Sequence, residues 1–66
     1  MKNERVRKKL FLCEVKQYEL AVALKVHEQT LSRWLRVELP ESEQTRLCEV
    51  IERISEERKN ERNFIA

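Results

Sequence analysis

The residues best suited to catalysis or metal binding do not form a complete site. His27 is the only histidine and is followed by Glu28, but the HExxH pattern of zinc proteases needs a second histidine where Leu31 stands. Ser32 has no base at a helical spacing and no glycine-rich turn to present it as a nucleophile. We therefore expect no enzyme activity, no metal site and no cofactor.

Between residues 28 and 36, polar side chains alternate with apolar ones at helical spacing. Leu31, Trp34 and Leu35 recur three and four positions apart, which predicts a short helix from about Glu28 to Arg36 with these three side chains in the core. The other side of this helix then carries hydrogen-bonding groups long enough to reach base edges in a groove about 12 Å wide. They are Glu28, Gln29, Thr30, Ser32, Arg33 and Arg36.

A second short helix precedes this one and must position it. It begins near Gln17, and Leu20, Ala21 and Leu24 form its buried stripe. Residues 25–27 break the pattern, so a three-residue connection joins the two helices. They must cross steeply to share one core, and the small side chain of Ala21 permits their close approach.

Two further helices are predicted around this pair. The first runs from about Glu4 to Cys13, with Asn3 as a candidate N-cap. The last starts at Pro40, a residue suited to a helix start, and reaches about Lys59. Its core face is expected to consist of Leu47, Val50, Ile51 and Ile54. Val15, in the connection after the first helix, is expected to insert its side chain into the core.

These patterns predict an all-α fold of four to five helices in a single domain over residues 1–66, with an ordered part at 4–60 and a flexible tail at 61–66. The absence of glycine disfavours a β-rich fold, because tight hairpin turns usually need it. A chain of 66 residues also has a thin core, which leaves no room for a deep catalytic pocket.

The charges indicate the function less clearly than the helical patterns do. The 14 basic and 12 acidic residues leave a net charge of only +2, which does not by itself indicate a nucleic-acid binder. Five basic residues crowd the N-terminus, where they form either a solvated helix face or phosphate contacts: Lys2, Arg5, Arg7, Lys8 and Lys9. The charged stretch Glu56–Arg62 is expected to be solvent-exposed, and the alternative is a dimer contact through the last helix that includes Phe64 and Ile65.

The two cysteines and the short apolar runs bear on location. Cys13 and Cys48 lack CxxC spacing, and no segment approaches the ~20 apolar residues of a membrane span. The N-terminal apolar patch is too short for a signal peptide. We therefore expect a cytoplasmic protein without a membrane partner, whose cysteines are small buried hydrophobic residues and not a disulfide.

The segment from Gln17 to Leu35 resembles the helix-turn-helix of the Cro and phage-repressor (lambda-repressor-like) family, and the arrangement of helices extends the resemblance to about residues 5–54. The string from Thr30 to Trp34 is especially typical. The family pattern has a polar residue at the first helix start, Leu-Ala one turn later, an aliphatic residue after the turn and two apolar residues on the buried face of the second helix. The matching positions are Gln17, Leu20, Ala21, Val26, Leu31 and Trp34.

Two positions depart from the family pattern. Lys25 stands where the family often has a glycine in the turn, and a non-glycine residue rarely takes a positive φ, so a turn of a different shape is expected. Lys16 stands where Ser or Thr often caps the first motif helix. Neither departure touches the side of the second helix that would read DNA.

The resemblance implies a lambda-repressor-like bundle and a role for each polar residue. Phosphate contacts are implied for Lys16, Gln17 and Arg36. In base recognition, Arg suits guanine, Gln suits adenine and Glu can accept a hydrogen bond from cytosine. Base contacts are implied for His27, Glu28, Gln29, Thr30, Ser32 and Arg33.

The resulting hypothesis is a sequence-specific DNA-binding transcriptional regulator, most simply a repressor of bacterial, phage or mobile-element origin. Its partners would be double-stranded operator DNA, which a homodimer would read as a palindrome, and no small-molecule effector is indicated. The alternative is a helical protein–protein interaction module, adaptor or antitoxin-like, that reuses the same fold. The charge around Glu28, Glu38 and Glu41 discriminates them, because an acidic surface there would favour the alternative.

Overall fold

The computed structural model describes the backbone of residues 2–65 and the side chains of residues 2–59. Four helices follow one another along the chain: α1 (Glu4–Leu12), α2 (Gln17–Leu24), α3 (Glu28–Trp34) and α4 (Glu41–Ile65). No strand occurs over the residues that the structure describes. The prediction of an all-α chain is therefore confirmed. Each of the four predicted helices is present with ends within two residues of those expected, except that α4 continues to Ile65, past its expected end at Lys59.

One hydrophobic core joins all four helices. The helix α1 packs along α4, and α2 packs against both α3 and α4. The buried apolar side chains include Val15, which enters the core from the connection between α1 and α2 as predicted. The complete set is Val6, Val15, Leu20, Ala21, Leu31, Leu35, Leu47 and Ile51.

The end of α1 explains how Val15 reaches the core. Glu14 takes a left-handed conformation with φ of 55°, and the Val15 N–H donates to the Leu10 carbonyl at 2.9 Å. The Glu14 N–H donates to the Phe11 carbonyl at 3.2 Å. This pair of bonds is the Schellman ending of a helix, which brings the residue after the left-handed position back against the last turn.

The helix α2 ends in the same way. Lys25 has a φ of 60°, and the N–H groups of Lys25 and Val26 each donate at 3.0 Å to the carbonyls of Val22 and Ala21. A lysine thus occupies the left-handed position that usually favours glycine. The expectation of a differently shaped turn at this departure from the family pattern was wrong, because the two hydrogen bonds and the burial around Ala21 hold Lys25 in that conformation.

Asn3 has a different role from the predicted side-chain cap. It lies before α1 in a left-handed conformation, its side chain makes no capping bond, and it is completely buried. Its Nδ2 donates to the carbonyls of Leu35 at 3.0 Å and Val37 at 2.8 Å, and its Oδ1 accepts from the Leu39 N–H at 2.8 Å. The side chain is directed away from α1 because it satisfies three backbone groups of the segment between α3 and α4.

Trp34 departs from its predicted place in the core. Its side chain remains 40% exposed, whereas Leu31 and Leu35 are 0% and 2% exposed. On a helix with 3.6 residues per turn, Leu31 and Leu35 lie four positions apart and define the buried direction, and Trp34 lies about 80° to one side of it. Leu31 and Leu35 already fill the space beneath α3, so the larger indole stays at the edge of the core.

The charged part of α4 also departs from its expected role. Arg58 was expected to be solvent-exposed, but it is half-buried, forms an ion pair with Glu19 and donates from Nη1 to the Glu14 carbonyl at 2.8 Å. The helix continues through Ile65. The predicted flexible tail at 61–66 and the predicted contacts of Phe64 and Ile65 fall on side chains outside the described residues. Among the described residues, no helix combines the length and apolar character needed to cross a membrane.

Candidate functional site

The outward side of α3 carries uncovered polar side chains. Gln29, Arg33 and Arg36 are exposed, and Ser32 is half-buried beside them. These four residues line one shallow surface groove of about 290 Å³. Leu31 and Leu35 face the core, and Arg33 lies 180° around the helix from their mean direction. The groove around Arg33 is therefore on the side of α3 that faces away from the core.

The other residues proposed to contact bases lie around this groove but do not line it. His27 immediately precedes α3 and Glu28 opens it, and both side chains are exposed. Thr30 is half-buried and lies on the flank of α3 that Trp34 also occupies. The six residues predicted to contact bases therefore divide into a central group on the groove, a pair at the helix start and one residue on the flank.

The position of α3 is fixed at both of its ends. Just before its start, Val26 is half-buried against the core. At its end, the Leu35 carbonyl accepts from Asn3 Nδ2 at 3.0 Å and from Arg7 Nη2 at 3.4 Å. These contacts hold the helix rigidly on the domain, which a recognition surface requires.

The start of α2 supplies two of the three residues predicted to contact phosphates, and the third, Arg36, lines the α3 groove. Lys16 precedes the helix and is exposed, and Gln17, its first residue, is half-buried. The Lys16 N–H donates to Glu19 Oε1 at 3.1 Å, and the second oxygen of the Glu19 carboxylate pairs with Arg58. Glu19 therefore supplies the half of a capping box that satisfies the N–H of the capping residue, and α4 holds the start of α2 through Arg58. Gln17 and Lys16 are separated in sequence from the α3 groove and do not line it.

The basic residues near the N-terminus are largely engaged within the fold. Arg5 lies 3.8 Å from the Glu41 carboxylate, and Lys9 lies 2.6 Å from that of Glu52. The hydrogen bond that Lys9 donates to the Glu52 carboxylate raises the pKa of the Lys9 amine above its ordinary value. Arg7 donates from Nε to the Lys2 carbonyl at 3.0 Å. These contacts favour the structural interpretation of the N-terminal basic run over the phosphate-contact interpretation.

Arg33 and Arg36 are different, since neither forms an ion pair over the part of the chain whose side chains are described. Glu28 is the acidic side chain on the same helix and is exposed. The guanidinium groups of Arg33 on α3 and of Arg36 just after it therefore face solvent and have their hydrogen-bond donors available to a ligand.

The acidic residues that could have changed the character of this surface are bound elsewhere. Glu41 faces Arg5, and Glu38 accepts from the Asn3 backbone N–H at 3.0 Å and from Gln44 Nε2 at 2.8 Å. These hydrogen bonds hold the pKa of the Glu38 carboxyl below its ordinary value, and the bond from Asn3 has the larger effect. Both carboxylates therefore bind residues at the junction of α1 with α4. Glu28 is the acidic residue on α3.

Sequence reasoning missed the residues that support this surface, namely Asn3, Arg7, Glu19 and Arg58. Glu19 carried a recognisable signal, because a Glu three positions after a helix-capping position is typical of a capping box. The contacts of Asn3 and Arg7 with Leu35 span 32 and 28 positions, and local spacing does not reveal partners so far apart.

Within the described residues, no group of three or more His, Cys, Asp or Glu side chains could hold a metal ion. Comparisons of the chain with protein-family models, with curated proteins and with solved structures find no match.

Proposed function

We propose that the chain is a sequence-specific DNA-binding regulator that inserts α3 into the major groove. The observation that carries this proposal is the outward side of α3, where Gln29 and Arg33 are exposed and lie opposite the buried Leu31 and Leu35. A separate, short, firmly anchored helix with long hydrogen-bonding side chains suits base recognition in a groove about 12 Å wide.

The connection between α2 and α3 supports the same proposal. The two helices pack together, three residues separate them, and Ala21 is buried where they approach. This is the arrangement expected of the lambda-repressor-like helix-turn-helix, so we propose that fold family for the chain. In a helix-turn-helix, the second helix enters the major groove while the first crosses the DNA backbone.

We assign roles by position and chemistry. Arg33 and Gln29, which point straight outward, would bond base edges, with His27, Glu28, Thr30 and Ser32 as supporting base contacts. Arg36, on the groove but toward the end of α3, would bind phosphate. At the start of α2, Gln17 and Lys16 would bind a second phosphate, because the first amides of a helix lack intrahelical partners and favour anions.

Selection of binding sites from random duplexes, followed by titration of the selected duplex at several salt concentrations, tests this proposal. We expect one recovered sequence and an affinity that falls steeply with salt, because phosphate contacts release counterions. A palindromic sequence together with dimeric sedimentation on DNA would support binding as a symmetric pair. No enrichment, with no duplex binding at low salt, would overturn the proposal and favour the protein-interaction alternative.

Arg33→Ala should weaken binding to the selected duplex by roughly 1–3 kcal/mol and relax the base preference at one position. Fluorescence anisotropy with the selected duplex and with single-base variants measures both effects. Lys8→Ala is the matched control, because Lys8 is exposed on α1 and lies outside the contacts assigned above to α2 and α3. An equal loss on selected and random duplexes would contradict the base-reading role of Arg33.

A further inference from the structure

A second concave surface lies beside α3, between the end of α2 and the first half of α4. It consists of two hollows, one of about 280 Å³ that includes Trp34 and one of about 380 Å³ that includes Lys25. Both hollows are lined by Leu24 and Arg46, so they adjoin and form one cleft, which we call the Trp34 cleft.

The two ends of the Trp34 cleft differ in chemistry. One end is apolar, because Trp34, Leu39 and Leu47 line it together with the shared Leu24. The other end is basic, because Lys25 and Arg53 line it together with the shared Arg46. The acids along the cleft are Glu43 at the apolar end and Glu49 at the basic end.

The cations of the cleft form no ion pair with any side chain that the structure describes. Over the described side chains, the ion pairs involve Arg5, Lys9 and Arg58, and none involves Lys25, Arg46 or Arg53. The indole of Trp34 is likewise 40% exposed although it borders the core. Trp and Arg are enriched among the residues that dominate binding free energy at protein interfaces.

The cleft is distinct from the surface proposed to read DNA. Trp34 follows Arg33 directly, so its side chain is rotated by about 100° around α3 from the outward direction. None of the residues that line the α3 groove lines the Trp34 cleft. A ligand in the cleft would therefore leave Gln29 and Arg33 uncovered.

We propose that the Trp34 cleft binds a segment of a protein partner that carries an apolar side chain next to acidic ones. The apolar side chain would pack against Trp34 and Leu47, and the acidic groups would face Arg46 and Arg53. Among the described side chains, the adjacent exposed apolar residues Phe11 and Leu12 of a second copy follow lysines, which would face the basic end of the cleft. Exposed Val37 adjoins Glu38, but the Glu38 carboxylate already accepts hydrogen bonds from Asn3 and Gln44. The occupant that fits is a different chain with an acidic and apolar segment.

Titration of the full chain with three synthetic 12-residue peptides tests this inference. The acidic probe carries two leucines four positions apart among Glu and Asp, the basic probe has Lys in place of the acids, and the third probe has Ser in place of the leucines. Trp34 is the only tryptophan, so its fluorescence reports contact with the cleft, and amide chemical shifts locate the binding site. We expect the acidic probe to bind and shift Trp34, Leu39 and Arg46, and to bind more tightly than the other two.

Arg46→Glu should weaken binding of the acidic probe by about tenfold or more, because it places a like charge in the cleft. Arg46 is exposed, so the fold should persist, and the matched control Lys8→Glu should leave binding unchanged. Equal binding of the acidic and basic probes, shifts outside the cleft, or no binding would overturn the inference. Self-association that changes the Trp34 fluorescence without any peptide would also overturn it, in favour of a second copy. None of these outcomes depends on DNA binding.

Discussion

At the scale of single residues, Asn3 combines conformational and hydrogen-bonding properties that few side chains share. Its backbone is left-handed, which Asn tolerates better than most residues, and its buried amide satisfies three backbone groups between Leu35 and Leu39. This amide joins the residue before α1 to the end of α3. The orientation of the proposed recognition helix therefore depends on a residue remote from it in sequence.

We expect Asn3→Ala to lower the free energy of unfolding by about 2–4 kcal/mol, because it leaves buried backbone groups without partners. Asn3→Gly loses the same bonds but adopts a left-handed backbone without strain, so its loss should be smaller by roughly 1 kcal/mol. Urea unfolding of both variants measures the difference. A loss below 0.5 kcal/mol for Asn3→Ala would contradict this assignment.

Lys25 gives a second prediction at this scale, since it holds a φ of 60° without being glycine. Lys25→Gly should raise the free energy of unfolding by about 0.5–1 kcal/mol, as the lost strain outweighs the added freedom of the unfolded chain. For a domain of this size, that corresponds to an increase in Tm of several degrees. Lys25→Ala keeps the Cβ atom that makes a left-handed backbone unfavourable, so it serves as the control. We expect its Tm to be unchanged in thermal unfolding.

At the scale of the elements, α4 holds α1 and α2 in place, and α3 packs on α2. Its first half contributes Leu47 and Ile51 to the core, and its later part reaches the start of α2 through Arg58. Arg58 contacts both the Glu19 carboxylate and the Glu14 carbonyl. The part of α4 beyond the core thus positions the start of α2, where the proposed phosphate contacts lie.

Arg58→Ala should lower the free energy of unfolding by about 1–2 kcal/mol, because it removes a charge-assisted contact and leaves the Glu14 carbonyl unpaired. Arg53→Ala on the same helix is the matched control, since Arg53 is exposed and forms no ion pair among the described side chains. Chemical denaturation of both variants provides the comparison. Equal effects of the two substitutions would show that Arg58 is merely a solvated side chain.

At the scale of the whole molecule, the junction of α1, α4 and the segment between α3 and α4 carries a titratable group. Glu38 accepts hydrogen bonds from Asn3 and Gln44, and Gln44 also donates to the Leu39 carbonyl at 2.9 Å. Since these bonds depress the pKa of Glu38 in the folded chain, folding is favoured by the ionised carboxylate. The stability of the domain is therefore coupled to pH through one exposed side chain.

The contribution of Glu38 should be fully present above the unfolded pKa of about 4.3 and should be lost as the pH falls through the lower folded value. Glu38→Gln should destabilise the domain at pH 7, because an amide accepts through only one of its two terminal atoms. The difference between the two proteins should shrink on acidification, and thermal unfolding at a series of pH values measures it. A difference that stays constant down to pH 2 would exclude this coupling.

The sequence by itself determined the all-α class, the approximate bounds of α1 to α4, and the separation of α2 from α3. It did so because helical spacing of residues such as Leu20, Leu31 and Ile51 is a local property, and burial of one stripe per helix follows from it. It also placed Gln29 and Arg33 on the exposed side of α3.

Only the tertiary structure decided which polar residues hold α3 in place and how completely each apolar residue is buried. Asn3 and Arg7 reach Leu35, Arg58 reaches Glu19, and Trp34 stays at the edge of the core, although its spacing suggested burial. The physical reason is that hydrogen bonds and ion pairs between distant segments depend on how the helices pack, and the size of a side chain decides burial only once its neighbours have filled the core.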